Sequence, residues 1–287
     1  MKTDGLFTAP SFTYATQYNK PFKLIVFGDV HRDSPNHADK AWQDFLKYAR
    51  AQQNALFLGM GDYIDSASTS ERACLVGAGL HESTQNDLAV LAQQKVELLA
   101  KELGFMRGKL LGLLNGNHYY RFSDGGNSDM RLCRELQCQY LGVSTLFRLY
   151  IKHPSGSGKH SLDIFAHHGA GGSRLVGGSM NRVSQMTEHA EADIFLMGHD
   201  HKRGVIPQNP KIRLEHSPKG GLVVKSRQQW LGRSGSFLAS YKPGTRDYNV
   251  DAARGPCSLG HIEFEITPAR EQSGGQVLVH IDIRGVC

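Results

Sequence analysis

Five short apolar runs between residues 22 and 197 each end in a turn that carries aspartate, asparagine or histidine. The runs are rich in branched and aromatic residues, which is typical of buried β-strands. Between the first two runs, apolar residues recur at helical spacing. Strands that alternate with helices in this way predict a parallel sheet with helical crossovers. The runs span residues 22–27, 55–58, 109–114, 162–166 and 193–197.

Helices are expected in the segments that connect these strands. The first predicted helix covers 37–53, with Asn36 as its candidate N-cap. The stretch 66–83 is rich in Ser, Gly and Ala, and we expect it to be a loop. Further helices are predicted at 83–103, 129–139 and 179–191. A strand is predicted at 143–152, and we expect it to form a hairpin with 162–166 through a turn at 154–159.

After residue 202 the helical pattern gives way to short β-type runs separated by Gly and Pro, which favours a meander. The two parts of the chain therefore predict an α/β fold, a four-layer α/β/β/α sandwich of two mixed sheets with flanking helices. Residues 1–20 are expected to be an irregular N-terminal arm, and residues 21–287 a single domain. The predicted C-terminal runs are 205–206, 222–224, 237–238, 261–266 and 277–283.

Composition excludes several classes of protein. No apolar run approaches the roughly 18 residues of a membrane-spanning helix, and the first 20 residues lack a signal-peptide core. Five cysteines, an odd number without CxxC spacing, argue against a disulfide framework or a zinc cluster and favour the cytoplasm. The net charge of +6 favours an anionic substrate, although no dense Lys/Arg stripe indicates a nucleic-acid surface.

The polar clusters that follow the five strands contain carboxylates, imidazoles and one amide, without a thiolate. Ligands bind at the carboxyl ends of strands in open α/β sheets, so these clusters can converge on one pocket. Nitrogen and oxygen donors of this kind suit Mn²⁺, Fe, Zn²⁺, Co²⁺ or Ni²⁺ rather than Ca²⁺. Seven ligands are too many for one such ion with an open position, and they predict a pair of metal ions that share a carboxylate.

The order of the clusters resembles the calcineurin-like metallophosphoesterase family, whose motifs read D-x-H, G-D-x-x-D, G-N-H-[DE], H and G-H-x-H. The resemblance covers residues 24–201, and a weaker likeness to phage-encoded members extends over 234–241. It implies that Asp29, His31 and His201 hold the first metal, and that Asn117, His167 and His199 hold the second. It further implies that Asp62 bridges the two metals. His118 is then the general acid, and Asp65 orients His118.

The sequence departs from the family pattern in two places. Tyr119 stands where the family has an acidic residue after G-N-H. The fourth motif contains two histidines, and we expect His167 to be the metal ligand because it comes first after the strand. His168 is then expected to face the substrate or to support the metal ligands from behind. Arg121 and Arg174 are candidate contacts to a phosphate oxygen, with exposed arginines as the alternative.

The resemblance implies a metal-dependent phosphoesterase in which a metal-bridging hydroxide attacks phosphorus, with Mn²⁺ as the expected metal. The pairing of Asp65 with His118 and the positive net charge favour a phosphodiester substrate, such as a nucleotide or a nucleic acid. Phosphomonoester hydrolysis is an alternative. A second alternative is a catalytically silent scaffold, although such proteins usually lose ligands that are all present here.

Overall fold

Two mixed six-stranded sheets form the framework of the computed structural model, which describes residues 9–155, 159–216, 220–244, 248–251, 255–273 and 276–287. The strands are β1 Ser11–Ala15, β2 Phe22–Phe27, β3 Ala55–Gly59, β4 Leu110–Leu113, β5 Gln139–Tyr140, β6 Ser144–Lys152, β7 Lys159–His167, β8 Ile194–Met197, β9 Arg203–His216, β10 Leu222–Ser234, β11 Ile262–Ser273 and β12 Gln276–Val286. The first sheet has the order β12-β11-β2-β3-β4-β5, and the second sheet has the order β1-β6-β7-β8-β10-β9.

The helices are α1 Asp39–Ala51, α2 Thr69–Gly77, α3 Glu82–Leu103, α4 Ser128–Leu136, α5 Val176–Gln185 and the single turn α6 Tyr248–Asp251, with 3-10 turns at Gly104–Met106 and Met186–Glu188. Of these, α1, α3 and α4 lie against the outer face of the first sheet and α5 lies against that of the second, whereas α2 has no buried residue. No helix within the described ranges combines the length and the apolar character needed to cross a bilayer.

Three apolar clusters separate the layers. Alternate residues of β2 point to opposite sides, so that Leu24 and Val26 pack between the sheets while Ile25 and Phe27 pack beneath α1, α3 and α4. A third cluster, which includes Phe195, lies between the second sheet and α5. This arrangement confirms the predicted α/β/β/α sandwich of two mixed sheets.

Three local predictions were wrong at the N-terminal side. Part of the expected irregular arm is the edge strand β1, which pairs in parallel with β6. The expected loop 66–83 contains α2, which begins with a capping box between Ser68 and Glu71. The N-cap of α1 is Ala38, without a side-chain hydrogen bond, rather than Asn36.

The C-terminal part is β-rich as predicted, but its strands are much longer than the apolar runs. β9 and β10 pair as far as His216 and Leu222, because an exposed two-stranded ribbon is held by backbone hydrogen bonds and tolerates polar side chains. The predicted strand at 237–238 is instead a loop with a single bridge between His37 and Leu238. The β6–β7 hairpin is antiparallel as expected, and residues 156–158 of its predicted turn lie outside the described residues.

Candidate metal centre

The carboxyl ends of five strands meet at one rim of the sandwich. β2, β3 and β4 are parallel neighbours in the first sheet, and β7 and β8 are parallel neighbours in the second. The loops that follow are tied to one another by backbone hydrogen bonds, such as Asp29 N to Gly61 O at 2.9 Å. Across the sheets, the backbone N–H of His199 donates to both carboxylate oxygens of Asp29 at 3.0 and 3.2 Å. The five polar clusters are therefore brought together.

Backbone strain is concentrated at this rim. Eight non-glycine residues in the described part of the chain have positive φ, and five of them belong to the predicted site. Such conformations cost on the order of 1–3 kcal/mol each, and they persist at sites where the side chain must point in one direction. The five residues and their φ values are Asp29 (47°), His31 (43°), Asp62 (54°), His199 (75°) and His201 (58°).

The first candidate ligand group consists of Asp29, His31 and His201. One donor atom from each lies within 4.8 Å of the other two, as one metal ion requires. His201 Nε2 is 3.6 Å from Asp29 Oδ1. Asp29 and His31 are almost completely buried. This is the trio that the sequence predicted for the first metal.

The second candidate group consists of Asp62, Asn117, His168 and His199. Asn117 Oδ1 lies 3.0 Å from His168 Nε2 and 2.7 Å from His199 Nδ1. Asp62 Oδ2 lies 3.4 Å from His168 Nε2 and 3.8 Å from His31 Nε2, which belongs to the first group. Asp62 is thus located between the two groups, where a bridging carboxylate must be.

The structure corrects the expected choice of histidine: His168, and not His167, joins the second group. In β7, Ala166 packs between the sheets and Phe165 packs on the α5 side. Because successive residues alternate between faces, His168 continues on the Ala166 side and His167 on the Phe165 side. His167 Nδ1 accepts a hydrogen bond from Gly169 N at 2.7 Å. His167 lines an outer pocket with Arg182, Met186, His189 and Met197.

His118 lies beside the first group and contacts Asp65. Asp65 Oδ1 is 2.6 Å from His118 Nδ1 and 3.3 Å from His31 Nδ1. These are close contacts between a carboxylate and two imidazoles, and their geometry is not that of an aligned hydrogen bond. Burial opposes ionisation of Asp65, but its contacts with His118 and His31 hold the pKa of this carboxyl well below its ordinary value. The Asp65 backbone N–H donates to Asp33 Oδ1 at 2.5 Å, and Asp33 is paired with Lys95.

Two observations show that the residues fit a metal ion. Both ring nitrogens of His31 are buried without a hydrogen-bond partner, which costs about 1–3 kcal/mol for an unsatisfied polar group. A divalent cation would supply the missing partner. At Gly116, an added Cβ would lie 2.0 Å from Asp62 Oδ1, so only glycine allows the loop to approach the carboxylate this closely. The donors are nitrogen and oxygen, as transition metals accept.

The buried charges of the centre are strongly coupled. Burial raises the pKa of Asp29 to about 7, against the opposing effect of His168. Burial also opposes the charged form of Asp62, but the facing His168 outweighs it and lowers the pKa of Asp62. The pKa of His168 is raised to about 9, because the attraction of Asp62 exceeds the effect of burial. Burial lowers the pKa of His201 to about 3. A divalent cation here would supply positive charge beside these buried carboxylates.

The loop Gly198–His201 is supported by a buried arginine that the sequence analysis missed. Arg233 donates through Nε and Nη2 to Ser179 O, and through Nη1 to Gly198 O at 2.9 Å. Its Nη1 also lies 3.5 Å from Asp200 Oδ1, and both side chains are nearly inaccessible. The signal was present in the sequence, since Arg233 stands in an otherwise apolar strand segment next to Gly232.

A second supporting residue is Asp129, at the start of α4. Its Oδ2 accepts a hydrogen bond from Gly116 N at 3.0 Å, and burial raises its pKa to about 7. The loop after β4 is further held by Asn127, which caps α4 and donates to Asn115 Oδ1. Polar residues at a helix start are common, so the sequence alone did not distinguish Asp129 from an ordinary first-turn acid.

Both predicted phosphate contacts, Arg121 and Arg174, are exposed arginines. Arg121 is exposed in the loop after His118, and its backbone pairs with Asn127. Arg174 is exposed in the loop before α5. Tyr119, the departure from the family pattern, is partly buried and lies beneath the guanidinium of Arg72, 3.7 Å from the ring centre. The role of Arg121 in substrate binding stays a prediction.

Comparisons with known proteins add little. No family model matches the chain, and no curated protein matches it. Among solved structures, vacuolar protein sorting 29 from Cryptosporidium parvum matches with 11% sequence identity and a TM-score of 0.37, over 93% of this chain and 99% of that chain. At this TM-score, the likeness supports no conclusion about function.

Proposed function

We propose that this protein is a calcineurin-like metallophosphoesterase that hydrolyses phosphodiesters with two divalent transition-metal ions, Mn²⁺ first among them. The position of Asp62 supports this proposal most strongly. Its Oδ2 faces His31 of one ligand group and His168 of the other. A buried carboxylate between two sets of imidazole and oxygen donors is what a dinuclear site needs.

In this proposal, Asp29, His31 and His201 hold one ion, Asn117, His168 and His199 hold the other, and Asp62 touches both. When bound, such ions polarise a phosphoryl oxygen and lower the pKa of a water molecule. The protein contributes the fixed positions of the donors, for which the strained backbone at Asp29 and Asp62 is already arranged.

His118 is proposed to protonate the leaving oxygen through Nε2. Its Nδ1 lies 2.6 Å from Asp65 Oδ1, and in this proposal the carboxylate orients the ring. A general acid is most useful when the leaving group is an alkoxide, as in a nucleotide or nucleic-acid phosphodiester. For that reason we favour a diester over a monoester substrate, and the net charge of +6 favours an anionic one.

The test is hydrolysis of bis-p-nitrophenyl phosphate and p-nitrophenyl phosphate by the purified protein, with Mn²⁺, Fe²⁺, Zn²⁺, Co²⁺ and Ni²⁺ in turn. The proposal expects Mn²⁺-dependent activity that is greater on the diester and is lost on substitution Asp62→Asn. Greater activity on the monoester would assign the protein to phosphomonoesterases. Metal binding without hydrolysis of either ester would contradict the proposed phosphoesterase activity and would support the catalytically silent scaffold.

We also propose that the protein works in the cytoplasm. This rests on its five cysteines, none of which is joined in a disulfide in the described part of the chain, the buried Cys133 among them. Free thiols are typical of reducing compartments. Fractionation of the cells that produce the protein would test this location.

A further inference from the structure

Arg72 on α2 contacts the backbone carbonyls of the two residues next to His118 in the chain. Its Nη1 donates to Asn117 O at 2.8 Å and to Tyr119 O at 3.3 Å. The same nitrogen donates to Ala67 O at 2.5 Å. Its guanidinium carbon lies 3.7 Å from the centre of the Tyr119 ring. One side chain thus joins α2 to the segment 117–119.

The backbone N–H of His118 donates to Asp62 Oδ1 at 2.8 Å. The Tyr119 N–H donates to Ala67 O at 3.2 Å, beside the Arg72 contact. The imidazole of His118 can meet Asp65 only if this backbone is fixed. Arg72 is therefore placed to control the orientation of the His118 peptide.

Helix α2 is itself fixed mainly at its beginning. It has no buried residue, and a capping box between Ser68 and Glu71 sets its first turn. Arg72 follows directly and its N–H donates to Ser68 O. Its Nη2 also reaches Thr69 Oγ1 at 3.2 Å. A helix without a buried face gains little stability from packing, so α2 does not contribute to the core. Its contribution to the structure lies in the contacts that Arg72 makes.

We propose that Arg72 is a positioning residue for the general acid His118, and that stacking on Tyr119 holds the guanidinium in place. This inference rests on the function proposed above. The inference also explains why a tyrosine occupies position 119, where the family pattern has an acidic residue. An aromatic face binds a guanidinium without competing for its N–H donors.

The experiment compares two diesters of the same thymidine 5′-phosphate, one with a p-nitrophenyl leaving group and one with a nucleoside 3′-hydroxyl leaving group. Only the second needs a proton from His118. Arg72→Lys keeps the charge but loses the planar fork and the stacking. We expect this variant to lose about 10²-fold in kcat on the dinucleotide and less than about threefold on the p-nitrophenyl ester, with KM and bound metal unchanged.

Two further variants sharpen the comparison. Tyr119→Phe keeps the ring and is expected to behave as the wild type, whereas Tyr119→Ala is expected to show the Arg72→Lys pattern in weaker form. The matched control is Arg50→Lys. Arg50 also donates to a backbone carbonyl, that of Glu102, and lies over an aromatic ring, that of Phe105, but it sits in the last turn of α1, away from the rim. It is expected to leave both activities intact.

Equal losses on the two diesters, or no loss on either, would overturn the positioning role.

Hydrogen exchange of the Tyr119 amide, measured without substrate, separates this proposal from the proposed function. Arg72→Lys is expected to speed this exchange about 10-fold relative to Arg50→Lys, because local opening becomes easier. Unchanged exchange overturns the role of Arg72 even in an active enzyme. An inactive wild type overturns the proposed function, and the exchange result then decides alone whether Arg72 fixes this segment.

Discussion

Asp65 joins the candidate general acid to the first ligand group, since one of its oxygens lies 2.6 Å from His118 Nδ1 and 3.3 Å from His31 Nδ1. A carboxylate behind a metal-binding imidazole orients the ring and raises its basicity. The same carboxylate behind a general acid supports the charged form of that acid. In the proposed mechanism, Asp65 is therefore expected to affect both proton donation and metal affinity, whereas His118 is expected to affect proton donation alone.

Asp65→Asn is expected to lower kcat on a dinucleotide by about 10²-fold and to weaken Mn²⁺ binding by about 10-fold. His118→Asn is expected to give the same loss in kcat without a change in metal affinity. Steady-state kinetics and calorimetric Mn²⁺ titration of the two variants measure both quantities. If the Asp65→Asn variant keeps the kcat of the wild type, Asp65 has no part in the mechanism.

Arg233→Met is expected to destabilise the protein by about 3–5 kcal/mol, because it leaves Asp200 buried without its cationic neighbour and two carbonyls without their donor. Urea unfolding gives the free-energy difference. Arg148→Met is the control, since Arg148 is half exposed in its pair with Asp163 and such pairs contribute less than about 1 kcal/mol. Equal losses in the two variants would show that Arg233 is not an anchor for the loop Gly198–His201.

His261 predicts a pH dependence of stability outside the metal centre. It packs against the rings of Phe45 and Tyr48, and burial lowers its pKa to about 4. The unfolded chain, with a pKa of about 6.5, binds this proton first, so the stabilising effect is complete above pH 6.5 and is lost as the pH falls toward 4.

His261→Phe is expected to reduce the loss of stability between pH 7.5 and pH 4.5 by about 2 kcal/mol relative to the wild type. The comparison uses urea unfolding of both proteins at the two pH values, so that carboxylates common to both cancel. If both proteins lose the same free energy over this interval, His261 is not a buried neutral imidazole.

The sheet layers and the convergence of the clusters were predictable because both follow from local patterns. Apolar runs such as Phe22–Phe27 are buried on both faces, and their carboxyl ends must share a rim once the strands are parallel. The role of His168 was also within reach, since alternation from Ile164 and Ala166 places residue 168 on the inner side. The order of the two histidines in the chain favoured His167, whereas the alternation of side chains along β7 favours His168.

Other features depend on contacts that no local pattern contains. The fixed position of α2 depends on Arg72 and carbonyls more than 40 residues away, so its Ser- and Gly-rich surroundings indicated a loop. Phe237 is buried against Trp42, and its backbone N–H donates to Asp29 O at 2.9 Å, although its segment is not a strand. An apolar residue in the C-terminal part of the chain can thus support the loop that carries Asp29 without belonging to a sheet.

The most direct test of the dinuclear centre is the metal content of the wild type and of two adjacent variants, His168→Ala and His167→Ala, after loading with Mn²⁺ and removal of the excess. Elemental analysis is expected to give two ions per chain in the wild type and in His167→Ala, and about one in His168→Ala, because His168 faces Asp62 and Asn117 whereas His167 lines the outer pocket. A wild type without bound metal, or a His167→Ala variant that loses an ion while His168→Ala keeps both, would contradict the account.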